Sequence, residues 1–401
     1  PEARLPRPRR ANGNGNHRPG DPLLQDILVV KYYIIAGEAS GDLHGSNLIR
    51  GLRARDPEAD IRCWGGDRME QAGGTLVRHY RELSFMGFLE VLRHLPAIFR
   101  NIAFCKKDIA RFRPDALIFI DFSGFNLRIA RWAKENGFRT HYYIAPQVWA
   151  SREGRVKKIR RDIDHIYAIL PFEKPFYEEK HGIPVHFVGH PLIDAMEGLP
   201  DPDPAAFRKR NNLDPERPIL ALLPGSRKQE IEKILPVMMA VIPEFPDYQC
   251  VIAGAPSLEA EQYEPYLTTG ATLIRDQTYP LLQHAHAALV TSGTATLETA
   301  LLGVPQVVCY KGGWVSYQIA RRLIRLEYIS LVNLIMDREV VPELIQHELE
   351  PQKLAAALRN ILKGPGRESQ LKAYGQLREK LGGPGASVQA AELIVNFSRE
   401  T

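Results

Sequence analysis

Ala116-Leu117-Ile118-Phe119-Ile120 is an unbroken apolar run, and Asp121-Phe122-Ser123-Gly124-Phe125-Asn126 follows it at once. A strand apolar at every position has no face to give to water, so it belongs in a parallel sheet covered on both sides. Short β-rich runs recur around it, at 31–36, 61–64, 139–145, 165–170 and 185–188, and the central run itself extends over 116–121. Amphipathic stretches of helical period lie between them, at 42–55, 125–136 and 173–181. This alternation predicts an α/β domain with a doubly wound parallel sheet.

Leu199-Pro200-Asp201-Pro202-Asp203-Pro204 breaks the pattern, and Asp214-Pro215-Glu216-Arg217-Pro218 repeats the punctuation. Residues 199–218 therefore read as a linker after a first domain at 27–198. Strand-like runs then restart at 219–223, 249–253, 272–274, 287–291 and 306–309, giving a second domain of the same class over 219–363. Residues 364–401 are helical only, interrupted by glycine and proline, and are free to pack back on the first domain. Two Rossmann-like halves predict a cleft between them, where ligands of such proteins usually bind.

A chain of 401 residues has the length for two such domains. Its 44% apolar and 25% charged residues exclude global disorder, collagen and coiled coil. Cys63, Cys105, Cys250 and Cys309 lie far apart with no CxxC pair, which speaks against a disulfide scaffold or zinc ribbon and fits a reducing cytoplasm. No apolar run reaches the length of a membrane span. The net charge is +5, but five arginines against Glu2 give residues 1–20 +4, leaving +1 for the rest. The basic balance thus sits in a Pro-, Gly- and Arg-rich leader over 1–26, expected to be disordered, and gives no case for nucleic acid. No apolar core follows the arginines, so the leader does not read as a secretory signal.

Open parallel sheets take ligands in the loops leaving the carboxyl ends of their strands. Gly37-Glu38-Ala39-Ser40-Gly41-Asp42 is the first such loop. Its glycines admit a ligand close to the backbone, and Ser40 or Asp42 can cap the next helix, so ligand loop and plain capped turn both fit. It lacks the GxGxxG of a dinucleotide site. His44, one turn on, faces either the cleft or solvent. Asp121 ends the most apolar strand, where a carboxylate is costly unless it caps a turn or does chemistry. As a general base it would gain from burial, which raises its pKa toward a useful range.

In the second half, Leu223-Pro224-Gly225-Ser226-Arg227 offers backbone donors at Gly225 and Ser226 and a guanidinium fork for phosphate at Arg227, or else a surface turn. Thr291-Ser292-Gly293-Thr294 starts a helix after a buried strand, and a helix N-terminus suits a diphosphate. Glu298, four residues after Thr294, lies on the same helix face, in reach of a ribose diol. A hydroxyl cap with a solvated glutamate is the plain alternative. No GxxxxGK[ST] is present, so this is no ATPase P-loop.

Phe85, Phe88, Leu89, Leu92, Pro96 and Phe99 fall on one helical stripe over 84–100, widened by Met86, Val91, Leu95 and Ile98 and flanked by Arg93 and Arg100. It reads as a core helix or as an interfacial helix on an anionic bilayer. Arg152, Arg155, Lys157, Lys158, Arg160 and Arg161 form a basic cluster, either a solvated face or a contact for phosphate and lipid headgroups.

Taken together, these loops resemble the lipid-A-disaccharide synthase family over about residues 31–363. The matching stretches are AGEASGD at 36–42, MGFLEVL at 86–92, DFSGFN at 121–126, APQVWA at 145–150, RVKKI at 155–159, LPFEKPF at 170–176 and VGHP at 188–191. LLPGSR at 222–227, SGTATLE at 292–298 and YISLVNL at 328–334 continue the series. The set is specific although each motif alone is not. The resemblance implies a GT-B fold and transfer of 2,3-diacylglucosamine from its UDP derivative to the 6-hydroxyl of 2,3-diacylglucosamine 1-phosphate (lipid X), giving a β-1,6 disaccharide 1-phosphate and UDP. The family's essential carboxylate falls on Asp121, its phosphate-site arginine on Arg227, its nucleotide loop on Ser292, Gly293, Thr294 and Glu298, and its late asparagine on Asn333. Departures stand at Gly124, where several members carry an acid, at Ser151, where many carry Trp, and at His44, where some carry an apolar residue. Val30 stands where the family tends to start.

The reaction expected is an inverting transfer with Asp121 as base and His44 as the alternative, and Arg227 and 292–294 holding the diphosphate. Glu38, Ser40, Gly41, Asp42, Asn126 and Gln147 are the expected acceptor contacts. No cofactor and no metal are expected; Asp162-Ile163-Asp164 beside a basic run reads as structural. Expected partners are the two lipid substrates and the inner face of the inner membrane, bound peripherally from the cytoplasm, with a homodimer left open beside the monomer. The rivals are another GT-B enzyme with a UDP-GlcNAc-type donor, namely a peptidoglycan transferase or a UDP-sugar 2-epimerase, and an inert lipid-binding peripheral protein.

Overall fold

A computed structural model describes residues 29–83, 95–151, 153–267, 270–312 and 327–399. The chain divides into two compact units, one of residues 1–194 with 384–401 and one of 195–383.

In the first unit seven parallel strands are ordered β3-β2-β1-β4-β5-β6-β7. They are β1 (Lys31–Ala36), β2 (Asp60–Gly65), β3 (Thr75–His79), β4 (Ala116–Ile120), β5 (Thr140–Tyr143), β6 (His165–Ala168) and β7 (His186–Phe187). The central strands are apolar throughout because both faces are covered. Tyr33, Ile35, Leu117, Phe119 and Tyr142 share a core with Ile102, Cys105 and Ile109 of the helix Leu95–Phe112 and with Ile129 of the helix Ser123–Glu135. On the other side of β5, the Tyr143 hydroxyl lies 3.3 Å from Ser387 Oγ of the helix Ala386–Arg399.

The second unit repeats the design with six parallel strands ordered β10-β9-β8-β11-β12-β13. They are β8 (Ile219–Leu223), β9 (Gln249–Gly254), β10 (Thr272–Arg275), β11 (Ala285–Thr291), β12 (Gln306–Tyr310) and β13 (Glu343–Ile345). In both sheets the strand order reverses once, between β1 and β4 and between β8 and β11, and at such a point the loops diverge and leave a crevice.

Several boundaries differ from the sequence reading. The expected linker is not extended: Asp203 caps the helix Pro204–Arg210 by accepting the Ala206 N–H at 3.0 Å, and Phe207 and Leu213 are buried in the second unit's core. The C-terminal helices part company. Pro365–Lys380 belongs to the second unit, and Ala386–Arg399 returns to the first. Gly382, Gly383 and Gly385, all at positive φ, turn the chain between them. The return is close packed, since a Cβ on Gly51 would stand 2.9 Å from that of Ala391. Strands 116–121 and 139–145 end early because Asp121 and Ile144 take φ of +43° and +61°.

The helix after β1 is Ala39–Arg55, with Glu38 at its N-cap position, so neither Ser40 nor Asp42 caps it. Asp42, expected at the acceptor, is buried and braces the neighbouring loop instead. Its Oδ1 accepts the N–H of Gly66 at 2.8 Å and of Met69 at 3.0 Å, and its Oδ2 that of Arg68 at 3.2 Å. Gly41, also expected there, packs its backbone on Ala36. Asp42→Ala therefore strands buried donors, and urea unfolding should register a loss of at least ~1–3 kcal/mol. A variant as stable as the parent but with a raised acceptor KM would return Asp42 to the substrate.

Candidate active site

Asp121 is the first residue beyond β4, at the strand reversal of the first unit. It and Phe122 are consecutive non-glycine residues in the left-handed region, at φ +43° and +45°, and Ile144 opposite them is a third. Such backbone costs on the order of 1–3 kcal/mol per residue and persists only where surroundings enforce it. The enforcement is visible. The Asp121 N–H donates to the Ile144 carbonyl at 3.2 Å. The Asp121 carbonyl accepts the Tyr142 hydroxyl at 2.6 Å and Asn126 Nδ2 at 2.8 Å. Asn126, expected to touch the acceptor, is fully buried and also donates to the carbonyls of Ile120 and Ile35, so in the fold it holds the loop. The Phe122 ring lies over Gly37, where any Cβ would stand 2.3 Å from it. Gly37 is thus required by the neighbouring loop.

The Asp121 side chain opens into a cavity of about 410 Å³ with Ser123, Gln147, Arg155, Leu170 and Glu173 among its lining. Burial, and secondarily the negative charge of Glu38, push its carboxyl up to about 6. It is ionised at neutral pH and basic enough to accept a proton. Glu173 is wholly buried, accepts the N–H of Ile169 and of Leu170 at 3.0 Å each, and is pushed by burial to about 7. Gln147 is exposed at the cavity, whereas Glu38 and Ser40 are exposed at the start of the helix Ala39–Arg55 and are not in its lining. His44 is absent from this lining. It is buried beside His190 and Asp194, and burial lowers it to about 4.

In the second unit, the loops after β8 and β11 line a cavity of about 310 Å³ that includes Gly225, Ser226, Arg227, Glu230, Thr278, Ser292, Gly293, Thr294 and Glu298. Gly225 holds φ +109°, and a Cβ there would meet Glu230 Oε2 at 2.3 Å. Of the expected backbone donors, that of Ser226 is already used: Glu230 Oε2 accepts the N–H of Ser226 at 3.0 Å and of Arg227 at 3.2 Å. The Arg227 side chain is 75% exposed with one arm 3.4 Å from Glu230. Gly293 and Thr294 stand exposed at the start of the helix Thr294–Leu301, while the Ser292 hydroxyl donates to the Ile329 carbonyl at 3.1 Å. Glu298 accepts the Tyr279 hydroxyl at 3.1 Å, and burial raises its carboxyl. Asn333 does not join them. Buried throughout, it donates to Val341 and Glu343 and accepts the N–H groups of Val340 and Val341, tying its helix to β13.

Residues 84–94, and with them Phe85, Phe88, Leu89 and Leu92, lie outside the described residues. Leu95 opens the helix Leu95–Phe112. Phe99 on that helix is 60% exposed, and Phe104 is 42% exposed under the Arg78 guanidinium. Among the described residues no helix is long and apolar enough to cross a membrane. Glu173, Glu230 and Tyr279 were not singled out as site residues from the sequence, and Arg155 only as one member of a basic cluster. Glu173 and Arg155 sit in quoted motifs, but Tyr279 reaches Glu298 only through the fold.

Two parallel α/β units, each with a cavity at its strand reversal, define a GT-B-type fold. Solved structures agree on the fold. The glycotransferase of kitacinnamycin superposes with a TM-score of 0.63 at 15% identity, covering 92% of this chain and 99% of that one. UDP-GlcNAc 2-epimerase from Neisseria meningitidis gives 0.62 at 14%, with the same coverage. A family model described as lipid-A-disaccharide synthetase matches residues 32–396. The lipid-A-disaccharide synthase of Trichlorobacter lovleyi is 38% identical over 92% of this chain and 97% of its own, and that of Geobacter metallireducens 40% over 91% and 96%. The chain belongs to the lipid-A-disaccharide synthase family. Glu298→Ala should weaken UDP binding by ~1–3 kcal/mol in calorimetry, the range for a lost charged hydrogen bond. Unchanged affinity would refute a role on the ribose.

Proposed function

We propose that the protein transfers 2,3-diacylglucosamine from UDP-2,3-diacylglucosamine to the 6-hydroxyl of 2,3-diacylglucosamine 1-phosphate, with inversion. The observation that carries this reading is Asp121, a half-buried carboxyl on enforced backbone with a pKa raised to about 6, opening into a cavity of its own unit. Its carboxylate takes the acceptor's hydroxyl proton as that oxygen bonds to the anomeric carbon. The bond from that carbon to the diphosphate breaks, and UDP leaves with its negative charge against Arg227 and the N-terminus at Thr294. A single displacement needs no enzyme nucleophile, so one carboxylate suffices. The test is UDP release with both lipid substrates, followed by product analysis. Epimerised UDP-GlcNAc and no disaccharide would contradict the reading.

Asp121→Asn should reduce turnover to background while calorimetry still registers UDP binding. In the parent, log(kcat/KM) should rise with pH, with unit slope below about 6, and level off above it as the raised carboxyl ionises. Parent-like turnover in the variant would remove Asp121 as the base.

Peripheral attachment at the inner face of the inner membrane is part of the same proposal. Phe99 is a large apolar side chain held in solvent on a helix whose other face is core, with Arg100 beside it. Phe99→Ser should leave stability unchanged and shift the protein from sedimenting anionic vesicles to the supernatant. Undiminished vesicle binding would place the contact elsewhere.

A further inference from the structure

The Asp121 cavity holds one cation among its lining residues, and it is not placed by chance. Arg155 is half-buried there, and its Nη1 donates to Ser123 Oγ at 3.0 Å. Ser123 is two residues beyond Asp121 and begins the helix Ser123–Glu135, so guanidinium and carboxylate are fixed to the same short stretch of chain. Charge and burial act on Asp121 through desolvation and Glu38. The cavity's other carboxyl, Glu173, is turned to the backbone, with the Ile169 and Leu170 N–H groups on its Oε2. Gln147 adds an exposed amide to the wall.

A carboxylate base for a hydroxyl, with a guanidinium in the wall of the same cavity, is the arrangement that a hydroxyl-bearing molecule with its own anionic group would satisfy. Arginine binds phosphate through paired N–H bonds in a planar fork, which fixes orientation as well as supplying charge. In the acceptor proposed above, the reactive hydroxyl and the phosphate flank the same ring oxygen of one sugar. We infer that Arg155 binds the phosphate of the acceptor sugar and thereby turns its 6-hydroxyl toward Asp121, an inference that rests on the proposed function. Arg155 then decides acceptor specificity: the enzyme favours a sugar phosphate over the same diacylated sugar without it.

The test compares 2,3-diacylglucosamine 1-phosphate with 2,3-diacylglucosamine as acceptors, at saturating donor, in the parent and in Arg155→Ala. The parent should favour the phosphorylated acceptor in kcat/KM. In Arg155→Ala that preference should shrink by ~10–100-fold, as for the loss of a charge-assisted hydrogen bond. Arg155→Lys should recover only part of it, since an ammonium keeps the charge without the fork. Two further arms separate other sources of phosphate. If calorimetric UDP affinity falls and the acceptor preference stays, the guanidinium serves the donor. If binding to anionic vesicles falls and the preference stays, it serves lipid headgroups. Either result overturns the inference, as does a parent with no preference. Should Arg155→Ala lose UDP binding through misfolding, Arg155→Lys carries the comparison, and an unchanged ratio there refutes the fork. A parent that makes no disaccharide from either acceptor fails the proposed function itself, a different outcome from an unchanged ratio.

Discussion

In each unit two neighbouring parallel strands send their chains away to opposite sides of the sheet, β1 and β4 in the first and β8 and β11 in the second. The loops leaving their carboxyl ends must diverge, and the space between them cannot be filled by the strands themselves. Asp121, Gly37 and the cavity beside them lie at one such point, and Arg227, Thr294 and Glu298 at the other. The chemistry therefore depends first on sheet order, and the identity of the loop residues comes second.

Holding a carboxylate at the first point costs free energy twice. Its backbone and that of Phe122 lie in the left-handed region, and its charge is partly withdrawn from water. Both costs are met by neighbouring groups of the same unit. Asn126 and Tyr142 fasten the Asp121 carbonyl, Ile144 receives its N–H, and Gly37 leaves room for the Phe122 ring. The raised pKa follows directly from this placement, because the burial that makes the site costly also favours the protonated carboxyl.

The sequence disclosed the architecture well, because continuous apolar strands and proline punctuation are local signals. It missed β3 and β13, edge strands with weaker patterns that gain their identity from neighbours. Asp121 and Glu298, singled out through their place after a strand and on a helix, do line the two cavities. Asp42, Asn126 and Asn333 brace their own loops in the fold, which sequence could not show, because a polar residue in a ligand-type loop looks the same whether it faces a ligand or braces the loop. Only the partners decide, and these lie up to 91 residues away, as for Asn126 and Ile35. The same holds for Ser226, whose N–H looks free until the fold turns Glu230 onto it. Arg155 read as one charge among six in a basic run, and its tie to Ser123 singles it out only in three dimensions.

The central claim is that the fold makes Asp121 a base by burying it next to Glu38. A carboxyl-carbon NMR titration, with the Asp121 signal assigned by its loss in Asp121→Asn, measures this without any substrate. The account predicts a midpoint near 6, lowered toward the ordinary aspartate value when Glu38 is changed to Gln. A midpoint already at the ordinary value in the parent would contradict it.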